Sequence, residues 1–227
     1  MPFRAGESLT YDISWSSYLT AGSAVVAVQE KKASYGSTAY YIVAEVRPTP
    51  LLQKLYSIYY KADTLLDSYT LLPQRGSVYS DENGRRRMKT TRFNQAAHTA
   101  HYEVQTTTVV TDDFAVPAYV QDALSALYAI RALGLEPGQT ITMPIADNGA
   151  AFSVQLQVGA VEKVKTGLGT IDALRITPTV VGRGPSLGRG AHIWLSHDAR
   201  RLPVKIEVEL PVGRFVLVLR GATGTVG

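Results

Sequence analysis

Cysteine is absent from these 227 residues. Its absence removes disulfides, thiol catalysis and cysteine-based metal sites together. Long apolar runs are missing as well. Nothing approaches the ~18 consecutive apolar residues that mark a membrane-spanning helix. Catalytic signatures are also lacking. There is no GxSxG and no HExxH. The loop from Gly182 to Gly190, GRGPSLGRG, lacks the GK[ST] ending of a phosphate-binding P-loop. His98 and His101 lie three apart in strand-like sequence, so they would face opposite sides. No catalytic residue, metal site or cofactor is therefore expected. The net charge of +4 is small and spread over both halves, which argues against nucleic acid as a partner. No signal-peptide pattern is visible, because Met1-Pro2-Phe3-Arg4 leads straight into folded-looking sequence. The chain is expected to be either cytosolic or a trimmed form of an exported protein with Met1 added.

What is present is mostly strand. Leu9, Tyr11, Ile13 and Trp15 alternate with polar residues. Phe152, Val154, Leu156 and Val158 repeat the pattern, as do Val204, Ile206, Val208 and Leu210. Asn83-Gly84 is a strong hairpin signal, since both turn positions need positive φ. Ile58 to Asp63 and Leu65 to Leu71 read as two strands, and Glu103 to Thr111 as one. Leu51 to Tyr56 reads as either a helical turn or a loop. About a dozen antiparallel strands result.

Gln121 to Gly138, QDALSALYAIRALGLEPG, is the exception. Asp122 suits an N-cap. Ala123, Leu124, Leu127, Tyr128 and Ile130 recur at steps of three and four and build one apolar face. Gly134 is the candidate left-handed terminator, and Pro137 forbids continuation. A helix of this length needs something to pack on. The expected fold is mainly β: residues 1–227 as a single domain, with one strongly curved antiparallel sheet or open barrel wrapped around a short helix at about 122–133. Leu127 is expected in its core, so Leu127→Asp should unfold the protein.

Candidate site residues follow from this outline. Tyr128 and Arg131 could line a cavity between helix and sheet; the alternative is a packed ring and a C-terminal charge. Tyrosine and tryptophan outnumber phenylalanine 15 to five. Their apolar bodies and polar tips suit cavity walls, which adds Trp15 and Trp194 as ligand-binding candidates. Arg85, Arg87 and Lys89 share one face of a hairpin by the period of two. They could bind an anionic group of a lipid or glycan, or form a solvated tip that shields a strand edge. Asp198, beside His197, reads as turn chemistry rather than acid–base chemistry.

Several pieces of the chain, in order, resemble one family. They are FRAGESLTYDISW with AGSA after it, DSYTLLP, ENGRRR followed by Phe93, DALSALYAIRALGLEPGQ, and IWLSHDARRLPVKIEVEL. The chain resembles the bacterial exported proteins called domain of unknown function 3108. The resemblance implies a periplasmic or exported β-rich protein, similar in outline to half-barrel lipoprotein carriers, and it supplies no catalytic residues. The function expected from it is non-catalytic: holding an apolar or amphipathic ligand, or a protein partner, in the concave face. A lipid, a glycan or an envelope protein is the expected partner. The alternatives are an enzyme acting on envelope glycans or lipids, and a structural or assembly role.

Overall fold

A computed structural model describes residues 1–16, 19–55, 58–182, 190–210 and 213–227. Eight strands come first: β1 (Ser8–Trp15), β2 (Leu19–Ser34), β3 (Ser37–Pro48), β4 (Ile58–Asp67), β5 (Pro73–Glu82), β6 (Arg85–Asn94), β7 (Thr99–Gln105) and β8 (Val109–Ala115). A six-residue helix, α1 (Pro50–Leu55), lies between β3 and β4. The main helix, α2 (Ala123–Ala132), follows β8. Six more strands complete the chain: β9 (Thr140–Asp147), β10 (Ala150–Thr166), β11 (Gly169–Val181), β12 (His192–Ser196), β13 (Pro203–Leu210) and β14 (Gly213–Thr223).

All 14 strands belong to one antiparallel sheet, and the two ends of the chain meet at its middle. There β1 pairs with β14, placing Tyr11 opposite Leu219 and Trp15 opposite Phe215. From this centre β2 to β8 run outward as a meander on one side, and β13 back to β9 on the other. The strands at the two edges, β8 and β9, are thus consecutive in sequence, and residues 116–139 must join them. The ten-residue α2 covers only about 15 Å at ~1.5 Å per residue. The hydrogen bonds of the joint show that the sheet curls until its edges approach.

The approach is bridged without being closed. Gln121 donates its N–H to Pro144 O at 2.9 Å and accepts from Ala146 N–H at 2.8 Å, a single parallel bridge on the free side of β9. On the other edge Val116 N–H bonds to His98 O at 2.9 Å. Val116, Val120, Ala100 and Ala146 pack together in this gap. No strand ladder joins β8 to β9, so the barrel stays open.

The helix and the segment leading into it reach three apolar clusters. Tyr128 packs with Leu9, Tyr11, Ile42 and Leu66 at the sheet centre. Ile130 packs with Leu156, Leu174, Ile176 and Leu195. Leu127, expected in the core, is only partly buried beside that second cluster. It forms a cavity wall instead, as described below.

Local chemistry explains one turn that agrees with expectation and most of the other departures from it. Asn83 and Gly84 adopt φ of 53° and 82°, the double positive turn that joins β5 to β6. The helix ends without a left-handed glycine: Leu133 is extended, with φ −81° and ψ 143°, and its N–H returns to Ile130 O. A second short helix, α1, accompanies the expected one. β4 is one strand through Asp67, whose carboxylate then caps the turn by accepting from the N–H groups of Tyr69 and Thr70. The segment expected as one strand from Glu103 to Thr111 turns at Thr106–Thr108, where Thr106 N–H bonds to Thr108 O. Residues 183–189 of the glycine-rich loop lie outside the described residues.

Candidate functional site

The start of α2 is fastened to the sheet by its own cap. Asp122 Oδ1 accepts the Ser125 N–H at 2.7 Å, and Ser125 Oγ accepts the Asp122 N–H at 2.9 Å. The second carboxylate oxygen accepts from Thr64 Oγ1 on β4 at 2.7 Å. On β5 the facing residue is Gly76, where a Cβ would lie 2.8 Å from that same oxygen. Burial pushes the Asp122 carboxyl above its ordinary pKa, against the hydrogen bonds from Ser125, Thr64 and Leu124. An acid raised in the folded state contributes most below its unfolded pKa, and that contribution is lost as pH rises through the folded value. Asp122→Asn keeps an acceptor and removes the buried charge. Its urea-unfolding free energy at pH 7 should equal or exceed that of the wild type. Asp122→Ala should lose about 1–2 kcal/mol in the same assay, the cost of a missing cap.

The end of α2 is fastened by a buried ion pair. The Arg131 guanidinium donates to both Glu7 carboxylate oxygens, at 2.6 and 2.8 Å, and to the carbonyls of Pro2 at 3.0 Å and Arg200 at 3.2 Å. Both side chains are fully buried. The guanidinium also lies over the rings of Tyr128 and Phe3, at 4.9 and 5.4 Å. Burial opposes the charge on Arg131, but the contacts with Glu7 outweigh it and raise the pKa. Burial likewise pushes the Tyr128 hydroxyl up. Of the two readings of Tyr128 and Arg131, cavity lining or a packed ring and a C-terminal charge, the burial of both at the centre of the sheet agrees with the second.

Between these two fastenings Tyr128 and Ile130 hold the helix to the sheet, and the side of Ala123, Leu124 and Leu127 stands off from it. A cleft of about 290 Å³ lies against its first two turns, walled by Ala123, Leu124 and Leu127 from α2, and by Ala62, Gly76 and Val78 from β4 and β5. Lys89, Thr91 and Tyr102 from β6 and β7 continue the wall, and Ala146 to Asn148 close the far side. Lys89 Nζ bonds to Asn148 Oδ1 at 2.6 Å, and Asn148 in turn donates to Asp147. This chain ties the β9–β10 turn across the open edge. Burial, then the charge of Asp147, raises the Tyr102 phenol, while Arg87 pulls it down. Among the described residues no three His, Asp or Glu side chains gather as metal ligands would.

A second cavity, of about 510 Å³, follows on the same face toward the β5–β6 turn. Ser80, Glu82, Gly84, the run Arg85 to Arg87, Thr106 and Thr107 border it. Register explains the continuity: Val78 faces Lys89 beside the cleft, and the next inward pair is Ser80 with Arg87. The expected grouping of Arg85, Arg87 and Lys89 therefore lies on the concave side.

The two tryptophans lie apart from these cavities. Trp15 stacks on Phe215 at 6.2 Å, near the end of β1 away from Glu7. Trp194 alternates with Leu195, which packs beside Ile130, so it faces away from α2. There its Nε1 donates to Glu162 Oε2 at 2.8 Å, and Lys205 Nζ lies 4.4 Å from its ring. Next to it, Glu207 is buried and paired with Lys205 at 2.6 Å and with Arg214. Nothing in the spacing of these residues announced that network. In the turn after β12, Asp198 accepts from Ser196 Oγ at 2.7 Å and from the Arg200 N–H.

An open half-barrel of antiparallel strands, with a helix across its mouth and a cleft beneath, defines a class of β-barrel-like proteins. The model of the "Protein of unknown function (DUF3108)" family matches residues 10–220. The chain belongs to that family. No curated protein matches the sequence significantly. Among solved structures, a beta-barrel-like protein of domain of unknown function 1849 from Brucella abortus superposes with a TM-score of 0.59 at 10% identity, over 95% of this chain and 96% of that one. A Bacteroides fragilis protein assigned as exported, with a YmcC-like fold, gives 0.41 at 10% identity over 98% of both chains. A Parabacteroides distasonis protein assigned as a lipoprotein gives 0.41 at 9% identity, over 98% of this chain and 97% of that one. Only the first is similar enough to mark a shared fold. Among the described residues no helix is long and apolar enough to cross a membrane.

Proposed function

We propose that this protein holds an apolar or amphipathic ligand in the concave face and does not transform it. The observation that carries this reading is the cleft left between α2 and the sheet. Its size is at the lower end of small-molecule sites, about 300–1,000 Å³, and a second cavity follows further along β5 and β6. Ala62, Val78, Ala123, Leu124, Leu127 and Ala146 supply its apolar wall, and polar groups, among them Asp122, Lys89 and Asp147, stand around it. That is the usual make-up of a ligand site. Acid–base chemistry has less support: Lys89 is engaged with Asn148, the Tyr102 phenol is made a weaker acid, and Asp122, raised by burial, is held by Ser125 and Thr64 as the cap of α2. A purely structural role has less support too, because α2 does not fill the space beneath it. An envelope location belongs to this reading and rests on the likeness of the chain's motifs to those of exported proteins.

The test starts with protein purified from its own host. Native mass spectrometry and solvent extraction should find a copurifying amphiphile. Ala123 is exposed, sits at the first helical position and borders the cleft. Ala123→Trp should obstruct the space and remove the amphiphile while leaving the melting temperature of the stripped protein within a few degrees. The reading is wrong if nothing copurifies and long-chain amphiphiles leave the melting temperature unchanged.

A further inference from the structure

The arginines of the β3–β7 region divide by face. On the face turned away from α2, each has a carboxylate: Arg47 pairs with Glu45 at 2.8 Å, Arg75 with Asp63, Arg86 with Asp81 at 3.1 Å and Arg92 with Glu103 at 3.9 Å. On the concave face the pattern stops. Among the described residues Arg85 and Arg87 have no hydrogen-bond or ion-pair partner. Glu82, opposite Arg85 in the ladder and bordering the same cavity, accepts from the Tyr60 hydroxyl and forms no ion pair with either arginine. Two alternate residues on a strand lie ~7 Å apart on one face, close enough for their guanidinium groups to converge on one anion. The hydroxyls of Ser80, Thr106 and Thr107 border the same cavity.

Charge is also graded along the site. Asp63, Asp122 and Asp147 border the cleft, and along the strands Lys89 lies between Asp122 and the two free arginines. A ligand with a negative group is thus repelled from the deep end and attracted to the β5–β6 turn. Arg87 also acts on the Tyr102 phenol of the cleft wall. Arginine suits this task, because its planar fork matches carboxylate and phosphate oxygens.

We propose that Arg85 and Arg87 take the negatively charged head group of an amphiphile whose apolar chain lies in the cleft under α2. This rests on the ligand-holding reading and adds the chemistry and the orientation of the ligand. Carboxylate and phosphate heads share that chemistry, so the test uses one chain with three ends: dodecanoic acid, dodecyl phosphate and dodecanol. Isothermal titration should show both acids binding about tenfold or more tighter than the alcohol, as charge-assisted hydrogen bonds would give. The double variant Arg85→Ala/Arg87→Ala alters two exposed side chains and should fold. It should lose the preference and keep the affinity for dodecanol. Ala123→Trp should weaken all three. The ratio of the two acids tells which head group the arginines fit better.

Equal binding of acids and alcohol by the wild type would overturn the head-group assignment and leave the cleft reading standing. Failure of all three to bind would overturn the cleft reading itself. Inorganic phosphate binding as tightly as dodecyl phosphate, with no effect of Ala123→Trp, would make the arginines a free-anion site and overturn the assignment to an amphiphile.

Discussion

Arg131→Met should lower the unfolding free energy by about 3–5 kcal/mol, the usual cost of removing one partner from a buried ion pair. The substitution keeps an unbranched apolar stem and leaves the buried Glu7 carboxylate without its charged partner, with the Tyr128 hydroxyl at 3.5 Å and no exposed surface to reach water. Glu7→Gln should cost a similar amount, since it leaves a guanidinium charge in the same place. The size of the effect matters because whole domains are stable by only about 5–15 kcal/mol. The double variant Glu7→Leu/Arg131→Met is the informative control. It removes both charges and should recover most of the loss, because buried pairs often do no better than apolar residues of similar volume. Chemical unfolding in urea reads all three. If each single variant lost less than about 1 kcal/mol, the pair would be solvated, and the fastening of α2 to the N-terminal segment would be wrong.

That fastening also shows where sequence reading stops. The strands were legible from alternation in Leu9 to Trp15, Phe152 to Val158 and Val204 to Leu210, since side chains on a pleat must alternate whatever lies beyond. Asn83-Gly84 was legible because few residue pairs tolerate two positive φ angles. Asp122 was legible as a cap, but Ser125 as its reciprocal partner was not, because serine stands where Glu or Gln is the usual signal. Glu7 and Arg131 are 124 residues apart, and no local rule joins them. The β1–β14 pairing is equally non-local. It decides that β8 and β9 become opposite edges, and hence that α2 must bridge them.

The site was legible to a different degree on each element. The period of two placed Arg85, Arg87 and Lys89 together, but could not say that their face was concave. Their lack of carboxylates becomes informative only beside the paired arginines of the other face. On the helix the apolar stripe named Leu127, Tyr128 and Ile130 alike. Which of them meets core and which meets empty space depends on how two separate stretches of sheet approach the helix.

Ile130→Asp and Leu127→Asp should therefore behave differently, although three residues separate them on one helix. Ile130 is 2% exposed and enclosed by Leu156, Leu174, Ile176 and Leu195. A carboxylate there has no partner, and burying it costs several kcal/mol even after it takes up a proton. Ile130→Asp should be unfolded or insoluble at pH 7. Leu127 is partly buried and borders the cleft, so an aspartate can turn toward the water that enters there. Leu127→Asp should fold, lose about 1–2 kcal/mol for the apolar contact given up, and show an intact far-ultraviolet circular dichroism spectrum. It should also bind long-chain amphiphiles more weakly, since the cleft loses apolar wall and gains a charge. An unfolded Leu127→Asp would mean that α2 lies flush on the sheet, with no cleft to hold a ligand. A folded Ile130→Asp would mean that the helix lifts from the sheet as a whole, and that its contacts with β10, β11 and β12 contribute little to holding the half-barrel together.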